Sequence, residues 1–339
     1  MSNIHEREWF RPKSFNTEII LLDGLTGTGK TMLMSIVDCF SNVSIPRFDY
    51  QLEQICIGLF ESKIDKHAGL EMLELLLDQR IYDIGISREV NFRPRDLSSA
   101  LKSTKRLKYI LRLLAEPRVN HLDNYRIEEK LFLIVHQLLE TSNVLLNLPS
   151  KQVKRILSVR HPYYLFDHWT SYVDMHGTSP RDFTVMLGSE PQTPWFIREN
   201  QGLFNGHSAH EKAAIAIAEL TCRQEEFIAN NKDILVVDFE KFVLEPSSYI
   251  DRIEGLLNSK SRGLHRAMKK SNLPRIHINN SKKARIYRRY GSDALGTSHS
   301  HRDDYLILKE KIRNVISPKH FKQIQLAAEQ YEMDFGLWF

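Results

Sequence analysis

The sequence GLTGTGKT at Gly24–Thr31 lies between two apolar runs, Ile19–Leu22 before it and Met32–Val37 after it. The first run predicts a buried strand and the second a helix, so the order is strand, glycine-rich loop, helix. In this order, consecutive backbone N–H groups at the start of the helix form a concave anion site that only glycine-rich backbone can shape. The stretch therefore predicts a phosphate-binding loop, and by itself it suggests an ATPase, a GTPase or a kinase.

Composition limits the class of protein. The chain has 339 residues, of which 42% are hydrophobic, so a substantial core is expected. A net charge of +5 is too weak to imply nucleic acid but is consistent with anionic ligands. No apolar run approaches the roughly 18 to 20 residues of a membrane span, the first residues form no apolar leader, and the three cysteines have neither metal-ligand nor disulfide spacing. We therefore expect a cytoplasmic location with reduced thiols.

Three later apolar runs predict buried parallel strands: Val144–Leu148, Ile156–Val159 and Ile234–Val237. Helical segments separate them, and helix starts are expected at His161-Pro162, at Ser208 and at Pro246. Strands that alternate with helices predict an α/β fold with a mainly parallel central sheet. We expect a single domain over residues 1–339.

The middle of the chain, residues 60–140, is predicted to be a mostly helical insertion that shapes the acceptor site. Eight lysines and arginines lie between Arg93 and Arg118. In the helix within this stretch, the leucines and one isoleucine from Leu101 to Leu114 form an apolar face, which would leave Lys102, Lys105 and Arg112 toward solvent. Such a basic surface suits an anionic acceptor such as an acidic glycan, although a charged run is more often a solvated face.

Two later strands are followed by charged residues. Arg160 comes directly after Ile156–Val159, where parallel strands present their carboxyl ends to the ligand crevice. Its planar fork could bind a second phosphate group, while the simpler interpretation is a salt bridge at a strand end. Asp238 comes directly after Ile234–Val237 and could organise Mg²⁺ as in an ATPase, or could only cap the next segment.

Three segments together resemble the nucleotide-dependent sulfotransferases: the glycine loop, the Arg160-x-Pro162 element that opens a helix, and the Phe239-Glu240-x-Phe242 segment, interpreted as strand. The order at the C-terminal end, a basic loop followed by Ile316-Ser317-Pro318 and a helix that ends near Gly336, is similar to that of bacterial members. This resemblance implies a three-layer phosphate-loop fold. It also implies 3′-phosphoadenosine 5′-phosphosulfate (PAPS) as the sulfuryl donor.

The family's donor-binding residues map onto this sequence by position. The phosphosulfate loop corresponds to Gly27, Thr28, Gly29, Lys30 and Thr31, but the family's loop lysine falls at Gly27, so the charge role passes to Lys30. The family's 3′-phosphate contacts are an arginine and a serine eight residues later, which correspond to Arg160 and His168. A basic loop near the C-terminus, with Lys282, Lys283 and Arg285, would hold the same phosphate.

Sulfuryl transfer, like phosphoryl transfer, depends on positioning and electrostatics, and the family's scheme requires no metal. Lys30 would stabilise charge that develops on the leaving nucleotide, and a carboxylate or histidine should accept the acceptor's proton. Asp49 and Glu53 lie shortly after the loop helix, where the family often places this base, and the sequence does not choose between them.

The leading hypothesis is a sulfotransferase that acts on a hydroxyl group of a glycan or a small metabolite. An ATP-dependent phosphate-loop kinase or NTPase is the first alternative, favoured by the complete Gly-Lys-Thr ending and by Asp238. A non-catalytic nucleotide-binding module is the second.

Overall fold

A computed structural model describes residues 11–114, 129–178, 180, 182–188, 192–278 and 300–339. Within these ranges, five parallel strands form the central sheet, in the order β2-β3-β1-β4-β7. The strands are β1 (Thr17–Gly24), β2 (Arg47–Phe48), β3 (Leu131–Ile134), β4 (Lys151–Val159), β5 (Met186–Leu187), β6 (Thr193–Pro194) and β7 (Ile234–Asp238), of which β5 and β6 form a separate antiparallel pair. The predicted α/β fold with a parallel sheet is confirmed.

Helices surround this sheet. In the described residues they are α1 (Lys30–Val37), α2 (Tyr50–Phe60), α3 (Lys66–Gly85), α4 (Arg106–Leu114), α5 (Pro162–Asp174), α6 (Gln201–Phe204), α7 (Ala209–Asn230), α8 (Phe239–Leu244), α9 (Pro246–Leu257), α10 (Leu264–Ser271), α11 (His301–Val315) and α12 (Pro318–Phe335). Short 3₁₀ helices span Ala100–Lys102 and Leu139–Asn147. None of the helices in the described ranges has the length and apolar character that a membrane crossing needs.

Strand β1 lies at the centre of the sheet, paired with β3 on one side and β4 on the other. Successive side chains of a strand point to opposite faces, and Ile19–Leu22 are all almost fully buried, so helices or loops cover both faces. The chain leaves β1 at Gly24, forms the glycine loop and enters α1 at Lys30. This places the loop at the carboxyl edge of the central strand, where α/β folds bind ligands.

The predicted helix starts are confirmed. His161 is the N-cap of α5, with Pro162 in the first turn, and Pro246 begins α9. Ser208 and Glu211 form a capping box at the start of α7. These local signals can be read from sequence because a cap is made by residues three positions apart.

The prediction that residues 60–140 are mostly helical is wrong at β3. Leu131–Ile134 are completely or almost completely buried and pair with both β1 and β2. Periodicity does not separate a strand from a buried helical turn in a run of four apolar residues, so the choice depends on long-range pairing.

The predicted strand at Val144–Leu148 is also wrong, because this segment belongs to the 3₁₀ helix Leu139–Asn147. The carboxylate of Asp23 accepts hydrogen bonds from the N–H groups of Leu138 (3.2 Å) and Leu139 (2.7 Å), which fixes the chain where this helix begins. Leu145 is buried whereas Leu146 is half-exposed, so the segment is not covered on both sides as a central strand would be.

The segment from Phe239 to Phe242, interpreted above as strand, is helical and belongs to α8. Strand β7 ends at Asp238, whose Oδ1 accepts a hydrogen bond from the N–H of Lys241 at 3.2 Å and so caps α8. An acid at a strand end can cap a helix in this way. The apolar spacing of the residues after Asp238 did not reveal this helix.

The basic helix of the middle block is oriented differently from the prediction. In α4 the buried residue is Tyr109, while Leu107, Leu111 and Leu114 are exposed. Lys105 is mostly buried, bonds to the carbonyl of Phe40 and lies 3.4 Å from Asp38, and Arg112 pairs with Glu129 at 3.0 Å. These cations stabilise the local fold and do not form the solvated basic surface expected for an anionic acceptor.

Candidate active site

Three glycines shape the loop. Gly24, Gly27 and Gly29 have φ values of +139°, +94° and +89°, which residues with a side chain rarely adopt. A Cβ atom at Gly29 would lie 2.3 Å from the ring of Phe239, so there is no room for another residue there. The loop therefore keeps the compact shape that a phosphate-binding loop requires, with α1 starting immediately behind it.

Neighbouring side chains bind the loop carbonyl groups. Nη1 of Arg160 donates to the Gly27 oxygen at 2.9 Å, Nε1 of Trp169 to the Thr26 oxygen at 2.8 Å, and the hydroxyl of Ser158 to the Thr28 oxygen at 2.6 Å. Side chains from strand β4, from the residue that follows it and from helix α5 thus bind the carbonyl oxygens of the loop. A loop whose carbonyls are held on the protein side is suited to direct its N–H groups at an anion.

Lys30 is the first residue of α1, and its side chain folds back over the loop. Its Nζ bonds to the Leu25 oxygen at 3.0 Å and to the Gly24 oxygen. Burial lowers the pKa of Lys30 to about 8, although the nearby charges of Asp23 and Glu53 oppose this shift. Lys30 thus places its positive charge within the loop, although Gly27 occupies the position of the family's lysine.

The two threonines of the loop differ in exposure. Thr28 is fully buried, and its hydroxyl donates to the Leu25 oxygen at 2.8 Å, so its side chain supports the loop. Thr31 is exposed at the start of α1. Its hydroxyl is therefore accessible to a ligand on this side of the loop.

Arg160 lies where the sequence predicts it, between the glycine loop and the segment after β7. Besides its bond to Gly27, its Nε is 3.5 Å from Glu240 and its guanidinium is 4.5 Å from the centre of the Phe239 ring. Burial raises the pKa of Glu240, which Arg160 opposes. The guanidinium is thus fixed beside the loop by a buried carboxylate, although its binding of a phosphate stays a prediction.

His168 lies on α5 and faces the loop. Its ring is 3.1 Å from the position that a Cβ of Gly27 would occupy. Burial, together with the charges of Arg160 and Lys30, lowers the pKa of His168 to about 4, so the ring is neutral at physiological pH. Its place beside the loop agrees with the position of the family's serine, and its contact with a phosphate stays a prediction.

The predicted basic residues Lys282, Lys283 and Arg285 lie outside the described residues. In the described chain just before them, the guanidinium of Arg275 is 5.9 Å from the centre of the same Phe239 ring that Arg160 contacts, and its main-chain N–H bonds to the Val243 oxygen at 2.7 Å. Arg275 brings a second arginine to this side of the loop. No motif marks it in the sequence.

Asp238 and Glu240 are buried among protein groups. The hydroxyl of Tyr331, on α12, lies 3.1 Å from Oδ1 of Asp238 and 3.1 Å from Oε2 of Glu240. Since Asp238 also caps α8, its Oδ1 is fully used by the fold. These contacts favour the structural interpretation of Asp238 over the role of magnesium ligand.

The two candidate bases, Asp49 and Glu53, have different surroundings. Asp49 is buried, pairs with Arg80 at 2.8 Å and with Arg47 at 3.3 Å, and caps α2 by accepting from the N–H of Leu52. Both oxygens of Asp49 are thus engaged by protein groups, and these contacts favour a structural role for this residue.

Glu53 contacts a residue that sequence reasoning missed, His136. Oε1 of Glu53 accepts from the main-chain N–H of His136 at 3.0 Å and lies 2.9 Å from Nδ1 of its ring. The ring is stacked between Phe48 (5.7 Å) and Tyr50 (5.6 Å). His136 lies two positions after the end of β3, and because β3 was not predicted, this histidine was missed as well. The available sequence signal was a histidine directly after the apolar run that ends at Val135.

The segment after β3 also reaches the glycine loop. Oε1 of Gln137 accepts hydrogen bonds from the N–H (3.2 Å) and the hydroxyl (3.0 Å) of Thr26. Gln137 adopts a φ of +44°, which is uncommon for a residue with a side chain. Such strained backbone is often found at functional sites.

A cavity of about 430 Å³ opens between the loop, α2 and the segment that follows α5. Thr26 belongs both to the loop and to the cavity wall, and His136 and Glu53 line the same space. Its other lining residues are Tyr50, Gln54, Ile57, Gln137, Tyr172, Met175, His176, Thr178, Asp182, Phe183, Thr184 and Trp195. Of residues 60–140, His136 and Gln137 line this cavity, whereas helices α3 and α4 do not contribute to it among the described residues.

Comparison with known proteins gives structural likenesses only. No protein-family model matches the sequence, and no curated protein is significantly similar to it. The sulfotransferase domain of the olefin synthase from Synechococcus PCC 7002 is 14% identical, with 96% of this chain and 98% of that chain covered and a TM-score of 0.44. The sulfotransferase domain from the curacin biosynthetic pathway is 13% identical, with coverage of 94% and 99% and a TM-score of 0.45.

A mouse sulfotransferase complexed with 3′-phosphoadenosine 5′-phosphate (PAP) is 12% identical, with 96% of this chain and 88% of that chain covered and a TM-score of 0.40. All three structures are sulfotransferases, the family that the motifs of this sequence resemble. Because their TM-scores and identities are low, the fold and the function rest on the residues and contacts of this chain.

Proposed function

We propose that this protein is a sulfotransferase that moves the sulfuryl group of PAPS to a hydroxyl group of a small acceptor. The observation that carries the proposal is the position of Thr26. This residue belongs to the phosphate-binding loop and also to the wall of the cavity that holds His136. A sulfuryl group bound at the loop would therefore face the cavity, where an acceptor can attack it in line.

The loop side would bind the donor. The N–H groups of Gly27–Thr31 and the ammonium of Lys30 surround the phosphosulfate, and charge on the leaving phosphate is stabilised there as the S–O bond breaks. Arg160, which bonds to the loop carbonyl of Gly27, would bind the 3′-phosphate, and His168 beside the loop would be a second, neutral donor. Lys282, Lys283 and Arg285 stay part of the proposal as further contacts to this phosphate.

The cavity side would activate the acceptor. Oε1 of Glu53 lies 2.9 Å from Nδ1 of His136, and in the tautomer that donates Nδ1–H to this carboxylate, Nε2 has the free lone pair that can accept a proton. The acceptor oxygen forms the new bond to sulfur, and its proton passes to Nε2 of His136. Glu53, predicted as the base itself, becomes the group that orients the base, as in other carboxylate–histidine pairs.

The cavity lining indicates the class of acceptor. Its acidic residues and histidines in the described chain are Glu53, Asp182, His136 and His176, and among the described lining residues there is no lysine or arginine. Burial lowers the pKa of His176 to about 4, so that ring is neutral. We therefore propose a small hydroxyl metabolite with an apolar part, which Tyr50 and Trp195 would contact, and not an anionic glycan.

A phosphate-loop kinase or NTPase is the second candidate, favoured by the position of Lys30 as the first residue of α1 in a complete Gly-Lys-Thr ending. Two features weigh against it. Strand β3 is followed by Val135 and His136, without an acid, and Asp238 caps α8. An enzyme that depends on Mg²⁺ and a γ-phosphate needs an acid to organise the metal.

The test compares ligands by thermal unfolding. We expect the product 3′-phosphoadenosine 5′-phosphate (PAP) to raise the melting temperature without a metal, with about 2.7 kcal/mol of added stability at 100 times its Kd. Mg·ATP should act weakly. Stabilisation by Mg·ATP alone would overturn the sulfotransferase assignment in favour of the kinase. Transfer of label from sulfur-labelled PAPS to an acceptor pool from a cell extract would exclude a non-catalytic module.

A further inference from the structure

A second group of chemically versatile side chains lies where α7 and α12 begin, and it shares no residue with the loop or the cavity. His207 comes just before the N-cap of α7, Glu211 lies in the first turn of that helix, and His320 lies in the first turn of α12. Each offers one ligand atom, and these atoms lie within 4.8 Å of one another. The sequence does not reveal that these three side chains lie together, because His320 is far along the chain from the other two.

The carboxylate of Glu211 lies between the two imidazoles. Its Oε2 is 3.4 Å from Nδ1 of His207, and its Oε1 is 3.5 Å from Nδ1 of His320. The two rings are 4.5 Å apart and nearly perpendicular, at 81°. Ligands on a tetrahedral zinc ion with bonds of about 2.0–2.1 Å are separated by about 3.4 Å, so the two carboxylate–imidazole distances are already close to this geometry.

The surroundings hold two of these ligands in place. Ser208 donates to Oε2 of Glu211 from its N–H (3.3 Å) and its hydroxyl (3.1 Å), which is the capping box of α7. The ring of His320 is almost fully buried, which fixes its orientation, and its Nδ1 would give up the Ser317 hydroxyl, 3.0 Å away, when the ion binds. Hydrogen bonds from outside the coordination sphere are what orients metal ligands in established sites.

We propose that His207, Glu211 and His320 bind one divalent transition-metal ion, of the class that prefers imidazole and carboxylate ligands, with Zn²⁺ as the natural occupant. Two imidazoles and one carboxylate satisfy three positions of a tetrahedral ion and leave the fourth to water. The ion would join the start of α7 to the start of α12. It would thereby fix the start of α12, the helix that carries Tyr331 and Glu332, whose side chains bond to Glu240 and His161.

The test uses the full chain, without an affinity tag that contains histidine and after treatment with a chelator. We expect one Co²⁺ per chain, with the visible absorption of a tetrahedral site, displaced by Zn²⁺, and a higher melting temperature with either ion. His207→Gln is the main variant because its ring is partly exposed, and loss of this ligand should weaken Co²⁺ binding at least tenfold, by the order found for supporting residues of metal sites.

His265→Gln is the matched control, since His265 is exposed on α10 and belongs to none of these contacts. It should bind Co²⁺ like the unchanged protein. The proposal is overturned if the unchanged chain gives no tetrahedral Co²⁺ spectrum, or if His207→Gln binds the ion as tightly. Neither result depends on PAPS or on turnover. The metal site can therefore be disproved without disproving the proposed function, and the proposed function without disproving the metal site.

Discussion

The loop side and the cavity side of the candidate active site are built in different ways. On the loop side, the proposed binding groups are backbone N–H groups and one lysine within Gly24–Thr31, so most of them lie in eight consecutive residues. On the cavity side, the key contact joins Glu53 and His136, which are 83 positions apart. A site made of local backbone can be read from the sequence, whereas a pair of distant side chains becomes visible only when the sheet order is known.

The largest effect is expected from the cavity side. If His136 is the base, His136→Asn should lower the rate of sulfuryl transfer by roughly 10²–10⁴, the usual contribution of general base catalysis. PAP affinity should stay unchanged, because the donor binds on the loop side. The measurements are initial rates with labelled PAPS and a fixed acceptor pool, and titration calorimetry with PAP.

His176→Asn is the matched control for this variant. His176 lines the same cavity but packs against Tyr172 (4.5 Å) and Phe196 (5.7 Å), and among the described residues its ring makes no hydrogen bond to a carboxylate like that between His136 and Glu53. We expect it to change the acceptor concentration needed for half-maximal rate and not the maximal rate. Equal losses of maximal rate in both variants would show that the cavity needs its shape and not a base at His136.

The same contrast explains how much of the fold could be predicted. Strands β1, β4 and β7 were found because they are apolar runs followed by a glycine loop, an Arg-x-Pro element or an acid. Strand β3 was missed because Leu131–Ile134 lies in a stretch rich in helix-forming residues, and only its pairing with β1 shows what it is. His136 was missed with it, so the sequence offered only Asp49 and Glu53 as candidates for the base, without a choice between them.

On the loop side the error is of a different kind. The location of Arg160 was predicted correctly, but the secondary structure of its partner was not. Arg160 lies beside the loop as expected from its place at the end of β4. Its buried partner Glu240 was placed on a strand, but it lies on α8. The cap that Asp238 makes with Lys241 is local and was among the alternatives open from the sequence, whereas the contact from Tyr331 depends on α12, which meets this segment only in the folded chain.

A smaller effect tests the role of Arg160. Arg160→Lys keeps a charge opposite Glu240 but loses the planar fork, so PAP binding should weaken roughly ten- to a hundredfold, as expected for one hydrogen bond to a charged group. Binding of 5′-AMP, which lacks the 3′-phosphate, should change little. The ratio of the two dissociation constants, measured by calorimetry, therefore reports the 3′-phosphate contact directly.

Arg155→Lys provides the control on the same strand. The guanidinium of Arg155 bonds to Asn143 (2.7 Å) and Asn231 (3.1 Å), away from the loop contacts of Arg160. It should leave both dissociation constants unchanged. If Arg160→Lys weakens PAP and 5′-AMP by the same factor, Arg160 supports the loop and does not bind the 3′-phosphate.

The smallest effect concerns pH. Burial lowers the pKa of Lys30 to about 8, so the ammonium is charged below that pH and neutral above it. Its attraction for the phosphates of PAP is therefore present well below pH 8 and is lost as the pH rises through this value, with affinity falling by about fivefold between pH 8 and pH 9 as the charged fraction falls from about a half to about a tenth. Lys30→Gln should bind PAP more weakly and with little dependence on pH over the same range. Because this variant keeps every other titrating group, including Glu240, the difference between the two pH profiles isolates Lys30. Parallel profiles would place the positive charge of the loop side elsewhere, and the site would then depend on its backbone and on Arg160.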